Sequence, residues 1–567
     1  MQIIQQLAKR GILSDSDVGR ASDAVAAAAD KAPHLTLIEK GFVKEEILLP
    51  ILAEEFGMDW VDLTLTKVEA EALVAVPLKL LHRKNLMPIA RHNGTLTVAT
   101  GDPYDAYAID ELNTLTGLHI HPVLGSPKEI TRLIKIHFGV GGDTVSSLVE
   151  DRKSDIEFLD DMETDDSELA KQAQEASVVK LVNEILVEAS NERASDIHIE
   201  HEETGLRVRY RIDGLLQEQK LPAEINRFQS AIISRLKIMA RLNIAEKRLP
   251  QDGRIKMRVS GREVDVRVSI IPMVHGEGVV MRLLDKSRMV FSLKSIGFLP
   301  EIDRKFRKLI DLPHGIVIVT GPTGSGKSTT LYSALNEVKD ESTKIITVED
   351  PVEYQQPGIC QIQTHAKIGL TFASSLRSIL RHDPDIILIG EMRDLETAEA
   401  AIQASLTGHM VFSTLHTNDA PSAFTRLIDM KVEPFLVAST VEGVLAQRLV
   451  RTICADCRTE YVPVTEELPI DFPQKLNDDG SPVRLQMGAG CRSCRQSGYR
   501  GRTGIHELLV NTDIIKDLVV QRVNSNVIRL EALNHGMSTL RSDGWRKILN
   551  GTTTIDEVGR TTAGDIS

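Results

Sequence analysis

Three short runs in the second half of the chain, residues 316–319, 345–348 and 386–389, are apolar and rich in β-branched side chains, with stretches of helical period between them. A strand that is apolar at every position has no polar face to turn to water. The runs therefore predict a parallel sheet covered by helices on both sides, with any ligand chemistry at the carboxyl ends of its strands. Alternation takes over earlier in the chain. Residues 207–212 read Arg-Val-Arg-Tyr-Arg-Ile before Asp213-Gly214, a strand with Arg207, Arg209 and Arg211 on one face and a hairpin turn at its end. Asp252-Gly253, followed by Arg254, Lys256 and Arg258 at alternate positions, predicts a second hairpin and a second cationic row. Such rows are either a solvated sheet face or a surface that meets an anion. Residues 86–99 predict two strands around an Asn93-Gly94 turn, and Val178, Leu181, Val182, Ile185 and Leu186 mark the apolar stripe of a helix beginning at Ala176. Between these, residues 150–168 carry ten acidic side chains against Arg152 and Lys153. A like-charged, aromatic-poor stretch repels itself, which predicts a mobile linker over 144–175.

The first apolar run feeds directly into Gly321-Pro322-Thr323-Gly324-Ser325-Gly326-Lys327-Ser328, with helix-compatible residues from Thr329 onward. Strand, loop and helix in register are the setting of a phosphate-binding loop. Gly321, Gly324 and Gly326 let the backbone wrap with its N–H groups inward, at the positive end of the helix that follows. Lys327 then reaches the β and γ phosphates of ATP, and the Ser328 hydroxyl ligates Mg²⁺. The second run ends in Glu349-Asp350-Pro351-Val352-Glu353, carboxylates placed to hold a metal-bound water or to deprotonate an attacking one. The third ends in Gly390-Glu391. Gly390 stands where an ordinary Walker B strand has Asp, so the metal or water contact passes to Glu391. His409 and His416 bracket a further apolar strand. A lone histidine is more often a satisfied core or surface group, but two around a strand beside the loop strand favour a γ-phosphate sensor for at least one.

A length of 567 residues predicts roughly three to five domains. The start of the chain lacks a signal peptide's basic and apolar regions, and no run of eighteen apolar residues occurs, so a cytosolic protein is expected. A net charge of −13 argues against general binding to a nucleic-acid backbone. Four of the five cysteines form two Cys-x-x-Cys pairs, Cys454 with Cys457 and Cys491 with Cys494. In a large chain without a secretion signal these read as a structural zinc site, with redox disulfides the alternative; Cys360 reads as a buried thiol.

Taken together, the loop 321–328, the acidic box 348–353, the Gly390-Glu391 strand end and the histidine box 409–416 resemble the four signatures of the secretion-superfamily traffic ATPases. The chain is most similar to the type II secretion and type IV pilus assembly ATPases, with residues 194–200, 250–254 and 445–451 matching as well. The resemblance implies an α/β fold: a RecA-like ATPase domain over 301–567 that includes a zinc module at 451–500, a PAS-like α+β domain at 176–300, the linker, and an α/β docking domain over 1–143. It further implies a homohexamer in which ATP binds between the PAS-like and RecA-like domains. Arg209 and Arg211, with Arg235 nearby, would approach the phosphates on closure or from a neighbour. Assembly ATPases of this group carry such a cysteine element and the retraction ATPases generally do not, so the module favours secretion or extension. Residues 37–48 resemble part of the family's N-terminal domain, some versions of which bind cyclic di-GMP through an Arg-Leu-Gly motif. His34-Leu35-Thr36 stands in that place here, so docking to inner-membrane platform or linker proteins is expected instead. A type IV pilus extension or DNA-uptake ATPase, and a nucleotide-gated scaffold with little turnover, are the rival readings.

Overall fold

The computed structural model describes residues 2–28, 32–138, 156–158, 176–220, 223–285, 291–464, 468–473 and 480–562. The chain divides into two compact units, Met1–Asp285 and Lys286–Ser567. Among the described residues, no helix is long and apolar enough to cross a membrane.

The first unit holds two sheets. β1 (Asp59–Trp60), β2 (Leu86–His92), β3 (Thr95–Thr100) and β4 (His119–Leu124) lie in the order β1-β4-β3-β2. Asn93 and Gly94 both take positive φ, 47° and 78°, between β2 and β3, the geometry an Asn-Gly hairpin requires. His34 is fully buried in the helix Pro33–Glu39, with Nε2 3.0 Å from the Gly101 carbonyl oxygen, and burial lowers its pKa.

The second sheet is antiparallel throughout, in the order β5-β9-β10-β11-β6-β7-β8. Its strands are β5 (Ile156–Phe158), β6 (Asp196–Glu202), β7 (Gly205–Ile212), β8 (Leu215–Gln219), β9 (Gln251–Val259), β10 (Arg262–Met273) and β11 (Gly276–Asp285). One face packs against the helices Ala176–Asn191 and Gln229–Met239, and all five apolar positions expected on the first helix are buried there. Of the acidic stretch 144–175, only β5 lies within the described residues, paired with β9; the linker expected over the rest lies outside them.

Two expectations change here. Asp252-Gly253 is not a turn but lies inside β9, opposite Ser269 and Val268, and the hairpin turns at Ser260-Gly261 instead. Gly253 serves a close approach, since a Cβ there would lie 2.5 Å from the Ala240 carbonyl oxygen. The cationic row on β7 meets a carboxylate row: Arg207 pairs with Glu202 and Glu218, Arg209 with Glu200 at 2.7 Å, and Arg211 with Asp196 at 3.6 Å.

The second unit is built on a sheet in the order β14-β13-β15-β16-β12-β17-β20. β12 (Gly315–Thr320), β13 (Ile345–Glu349), β14 (Cys360–Gln363), β15 (Ile386–Ile389), β16 (Met410–Leu415) and β17 (Val441–Ile453) pair in parallel, and β20 (Tyr499–Val510) closes the edge antiparallel to β17. Ile316 and Ile318 enter the core on one side of the sheet, and Val317 and Val319 enter the core on the other. That two-sided burial is why the run 316–319 is apolar at every position. The helices Leu293–Ile296 and Pro300–Ile310 pack in the same core as Val317 and Val319. Cys360 is exposed rather than buried, because β14 is an edge strand and Cys360 is its first residue.

Candidate active site

β12 ends at Thr320, and its parallel neighbours β16 and β17 hold the turn that follows. The Thr320 hydroxyl donates to the Leu415 carbonyl oxygen at 3.1 Å and accepts from the Thr417 backbone N–H at 2.9 Å, locking the end of β12 to the end of β16. The loop residues Gly321, Gly324 and Gly326 have φ of 148°, 78° and 91°, conformations that L side chains resist. Pro322, Thr323 and Gly324 are exposed at the loop's tip, Ser325 is buried beneath it, and the helix Lys327–Val338 starts directly behind it. Ser328 is exposed and Thr329 half-buried in its first turn.

Lys327 folds back over the loop, its ammonium donating to the Gly321 and Pro322 carbonyl oxygens at 2.8 and 3.1 Å. Burial lowers its pKa to about 8; Glu391 opposes this and Arg448 adds to it. Three strand ends are thereby brought together. Glu391 follows β15, with Oε1 2.5 Å from an Arg393 guanidinium nitrogen and Oε2 3.2 Å from His416 Nε2. His416 follows β16, and the Thr414 hydroxyl, donating to the Gly390 carbonyl oxygen at 2.7 Å, ties those two ends.

His409 lies elsewhere. In the parallel register Met410 sits beside Gly315 and Leu415 beside Thr320, so His409 is at the opposite end of the sheet from the loop, roughly 20 Å away at a strand's rise per residue. Its Nδ1 is 2.8 Å from the Ala404 carbonyl oxygen in the last turn of the helix Leu395–Leu406, a helix-end contact. Of the two histidines bracketing β16, only His416 stands in the site of its own chain.

Glu349 ends β13 as a buried carboxylate, accepting from the Tyr332 hydroxyl, from the Thr347 hydroxyl at 2.6 Å and from the Gln361 amide at 3.1 Å. Burial and this carboxylate raise the Tyr332 pKa, and its oxygen also meets the Glu353 and Tyr354 backbone N–H groups. The acidic box is thus anchored to the helix behind the phosphate loop. Glu353, half-buried, follows this anchor. Arg209, Arg211 and Arg235 belong to the first unit, where burial depresses the Arg235 guanidinium and its Nε lacks a hydrogen-bond partner.

The sequence reading counts 445–451 as a matching stretch but gives no role to two of its residues on β17. Gln447 binds the phosphate loop from the neighbouring strand, and Arg448 reaches the Asn418 carbonyl oxygen at 2.8 Å while acting on Lys327. A polar pair inside the otherwise apolar run 444–450 was the available signal.

At the end of β17 the four cysteines meet. Cys454 follows the strand, Cys457 ends the turn Ala455–Cys457, Cys491 precedes the turn Arg492–Cys494 and Cys494 ends it, with the paired strands β18 (Arg458–Tyr461) and β19 (Leu485–Gly488) between the pairs. All four Sγ atoms lie within 4.8 Å of one another, and three of the pairs are 3.7 Å apart. Zinc–sulfur bonds of about 2.3 Å in a tetrahedron set the sulfurs about 3.8 Å apart, so the cluster fits a metal of that kind, whereas disulfide sulfurs stand only about 2.05 Å apart. The Cys491 and Gly498 backbone N–H groups donate to Cys494 Sγ at 3.1 and 3.3 Å. Burial opposes the Cys494 thiolate, yet those N–H groups and the neighbouring thiols bring its pKa down to about 7. Burial and the thiols around it push Cys457 up to about 12.

Known proteins resemble this chain over most of its length. The family described as type II/IV secretion system protein matches residues 171–560, and the MshEN domain family matches 56–143. Type II secretion system protein E of Xanthomonas campestris is 46% identical over 99% of this chain and 98% of its own length. The type IV pilus assembly ATPase PilB of Myxococcus xanthus is 44% identical over 93% of each chain, and the type II secretion system ATPase E of Vibrio cholerae 49% over 70% of this chain and 77% of its own. The solved structure of the Legionella pneumophila ATPase DotB has a TM-score of 0.50 at 22% identity, over 68% of this chain and 96% of its own, a likeness of fold. The chain belongs to the type II/IV secretion system family as an ATP-hydrolysing motor ATPase of the type II secretion and pilus assembly group, with the type II member favoured.

Proposed function

We propose that this ATPase works as a homohexamer on the cytoplasmic face of the inner membrane and powers pseudopilus assembly for protein secretion across the outer membrane. The observation that carries the reading is the convergence of Lys327, Glu391 and His416 at the carboxyl ends of three neighbouring strands. In this reading the loop 321–329 cradles the triphosphate and Lys327 holds its β and γ phosphates. Glu391 and Glu353 orient and deprotonate the attacking water, Glu349 anchors the box that carries Glu353, and His416 follows the γ-phosphate. Mg²⁺, held by Ser328, would neutralise charge between the β and γ phosphates. Arg209 and Arg211, with Arg235 nearby, would supply cations from the first unit of the same or a neighbouring subunit, exchanging their carboxylate partners for phosphate. An arginine so supplied is worth on the order of 10³–10⁵ in rate.

The four thiolates would hold Zn²⁺ as a structural ion with no open position for catalysis. The N-terminal domain would dock to platform and linker proteins, making membrane association peripheral, and no direct contact with nucleic acid is needed. A type IV pilus extension role is the second reading, favoured by the identity to the pilus assembly ATPase of M. xanthus; a DNA-uptake motor would use the same site. A gated scaffold with little turnover is disfavoured by the intact Lys327 and Glu391.

The test is complementation of a strain lacking the gene. Secreted enzymes should remain in the periplasm of the deletion strain and return to the medium with the wild-type gene but not with Lys327→Ala. Normal secretion accompanied by loss of surface pili would replace this reading with the pilus one.

A further inference from the structure

A phosphate loop turns its N–H groups inward, so some of its carbonyl groups must point away and find donors elsewhere. In this chain that donor comes from the next strand of the sheet. β17 runs parallel to β12 with Ala446 beside Thr320, which sets Gln447 beside Gly321. Gln447 is 2% exposed. Its Nε2 donates to the Ser325 carbonyl oxygen at 2.9 Å, and its Oε1 accepts from the Thr330 hydroxyl at 2.6 Å. A reversed amide would set oxygen against oxygen at Ser325, so the pair of contacts fixes the orientation.

The same residue also defines the loop's outline. A Cβ on Gly321 would lie 2.5 Å from the Gln447 carbonyl oxygen, and one on Gly326 would lie 2.7 Å from its Nε2. The first and last glycines of the loop therefore close around Gln447, while its amide joins the loop to the first turns of the helix Lys327–Val338.

We propose that Gln447 is a positioning residue for ATP, holding the loop 321–326 and the start of the helix behind it in the form that presents N–H groups to the phosphates. It touches neither the reacting atoms nor the nucleotide. Removing it loosens the cradle, so the effect falls on nucleotide affinity before turnover.

The experiment measures ATP affinity and steady-state hydrolysis for the wild type, Lys327→Ala, Gln447→Leu, Thr330→Val and Thr330→Ser, with melting curves of each nucleotide-free protein. Gln447→Leu should raise KM and Kd for ATP roughly tenfold or more, with kcat at saturating ATP within about threefold of wild type. Thr330→Val should raise KM in the same direction by a smaller factor, and Thr330→Ser, which keeps the hydroxyl, should return to the wild-type value. This second pair carries the test if Gln447→Leu does not fold. A folded Gln447→Leu with wild-type KM and Kd overturns the proposal, as does equality of Thr330→Val and Thr330→Ser. Wild-type hydrolysis by Lys327→Ala would instead remove the nucleotide site itself, so the two failures are distinguishable.

Discussion

His416 Nε2 lies 3.2 Å from Glu391 Oε2, joining the ends of the adjacent strands β16 and β15, while Arg393 holds the other carboxylate oxygen. Two donors on one carboxylate fix its direction beside Lys327, whose charge it stabilises. In the proposed reading this carboxylate acts on the water of hydrolysis rather than on nucleotide binding. Glu391→Gln should lower kcat by about 100-fold or more with Kd for ATP within a few-fold of wild type, since positioned acid–base groups contribute roughly 10²–10⁴. His416→Gln should give a smaller loss. Single-turnover kinetics and nucleotide binding measured separately check the split.

The Lys327 ammonium gives ATP binding a pH dependence. Its pKa in the nucleotide-free protein is about 8, chiefly through burial, and the phosphates favour the charged form. Well below that pKa the lysine is already protonated and affinity is insensitive to it. As pH rises through about 8, binding must take up a proton, and Kd should weaken by up to about tenfold per pH unit until the bound-state pKa is reached. Calorimetry in buffers of differing ionisation enthalpy should therefore show proton uptake near pH 9 beyond any seen near pH 7.5. Equal affinity and equal proton exchange at the two values would contradict it.

Gly253 in β9 makes a stability prediction free of the active site. Gly253→Ala must displace the Ala240 carbonyl oxygen from 2.5 Å, a backbone atom with little freedom to yield. Overpacking of this kind costs roughly 1–3 kcal/mol. Urea unfolding followed by a probe in the first unit should show that loss, and an unchanged midpoint would mean that the segment 240–242 yields freely.

The four-cysteine cluster predicts about one tightly held zinc per chain, lost in Cys457→Ser and on prolonged chelation, with a lower melting temperature for the second unit. Native mass spectrometry and melting curves measure both. Recovery of metal-free protein with Cys454 bonded to Cys457, melting like the zinc-loaded form, would contradict the metal assignment.

Residues 316–338 are legible in the sequence because the strand, the glycines, the lysine and the helix are contiguous, and each local preference agrees with the phosphate-binding geometry. The parallel sheet is legible for a related reason, since burial on both faces leaves its central strands mostly apolar and short of charge. Asp252-Gly253 misleads because a turn dipeptide and a close-packed strand glycine look alike without knowledge of residues 240–242. His409 misleads because a strand of six residues separates the two histidines by its full length, and parallel register decides which end meets the loop. Gln447 stands 122 residues from Ser325, and only the placement of β17 beside β12 brings them together.

The central claim is that the loop 321–328 binds ATP for hydrolysis. Its most direct test is the rate of phosphate release by the purified full-length protein with ATP and Mg²⁺, beside Lys327→Ala. The account predicts turnover by the wild type that the substitution reduces to background, because it assigns the β and γ phosphates to the Lys327 ammonium. Equal rates from the two proteins would contradict it.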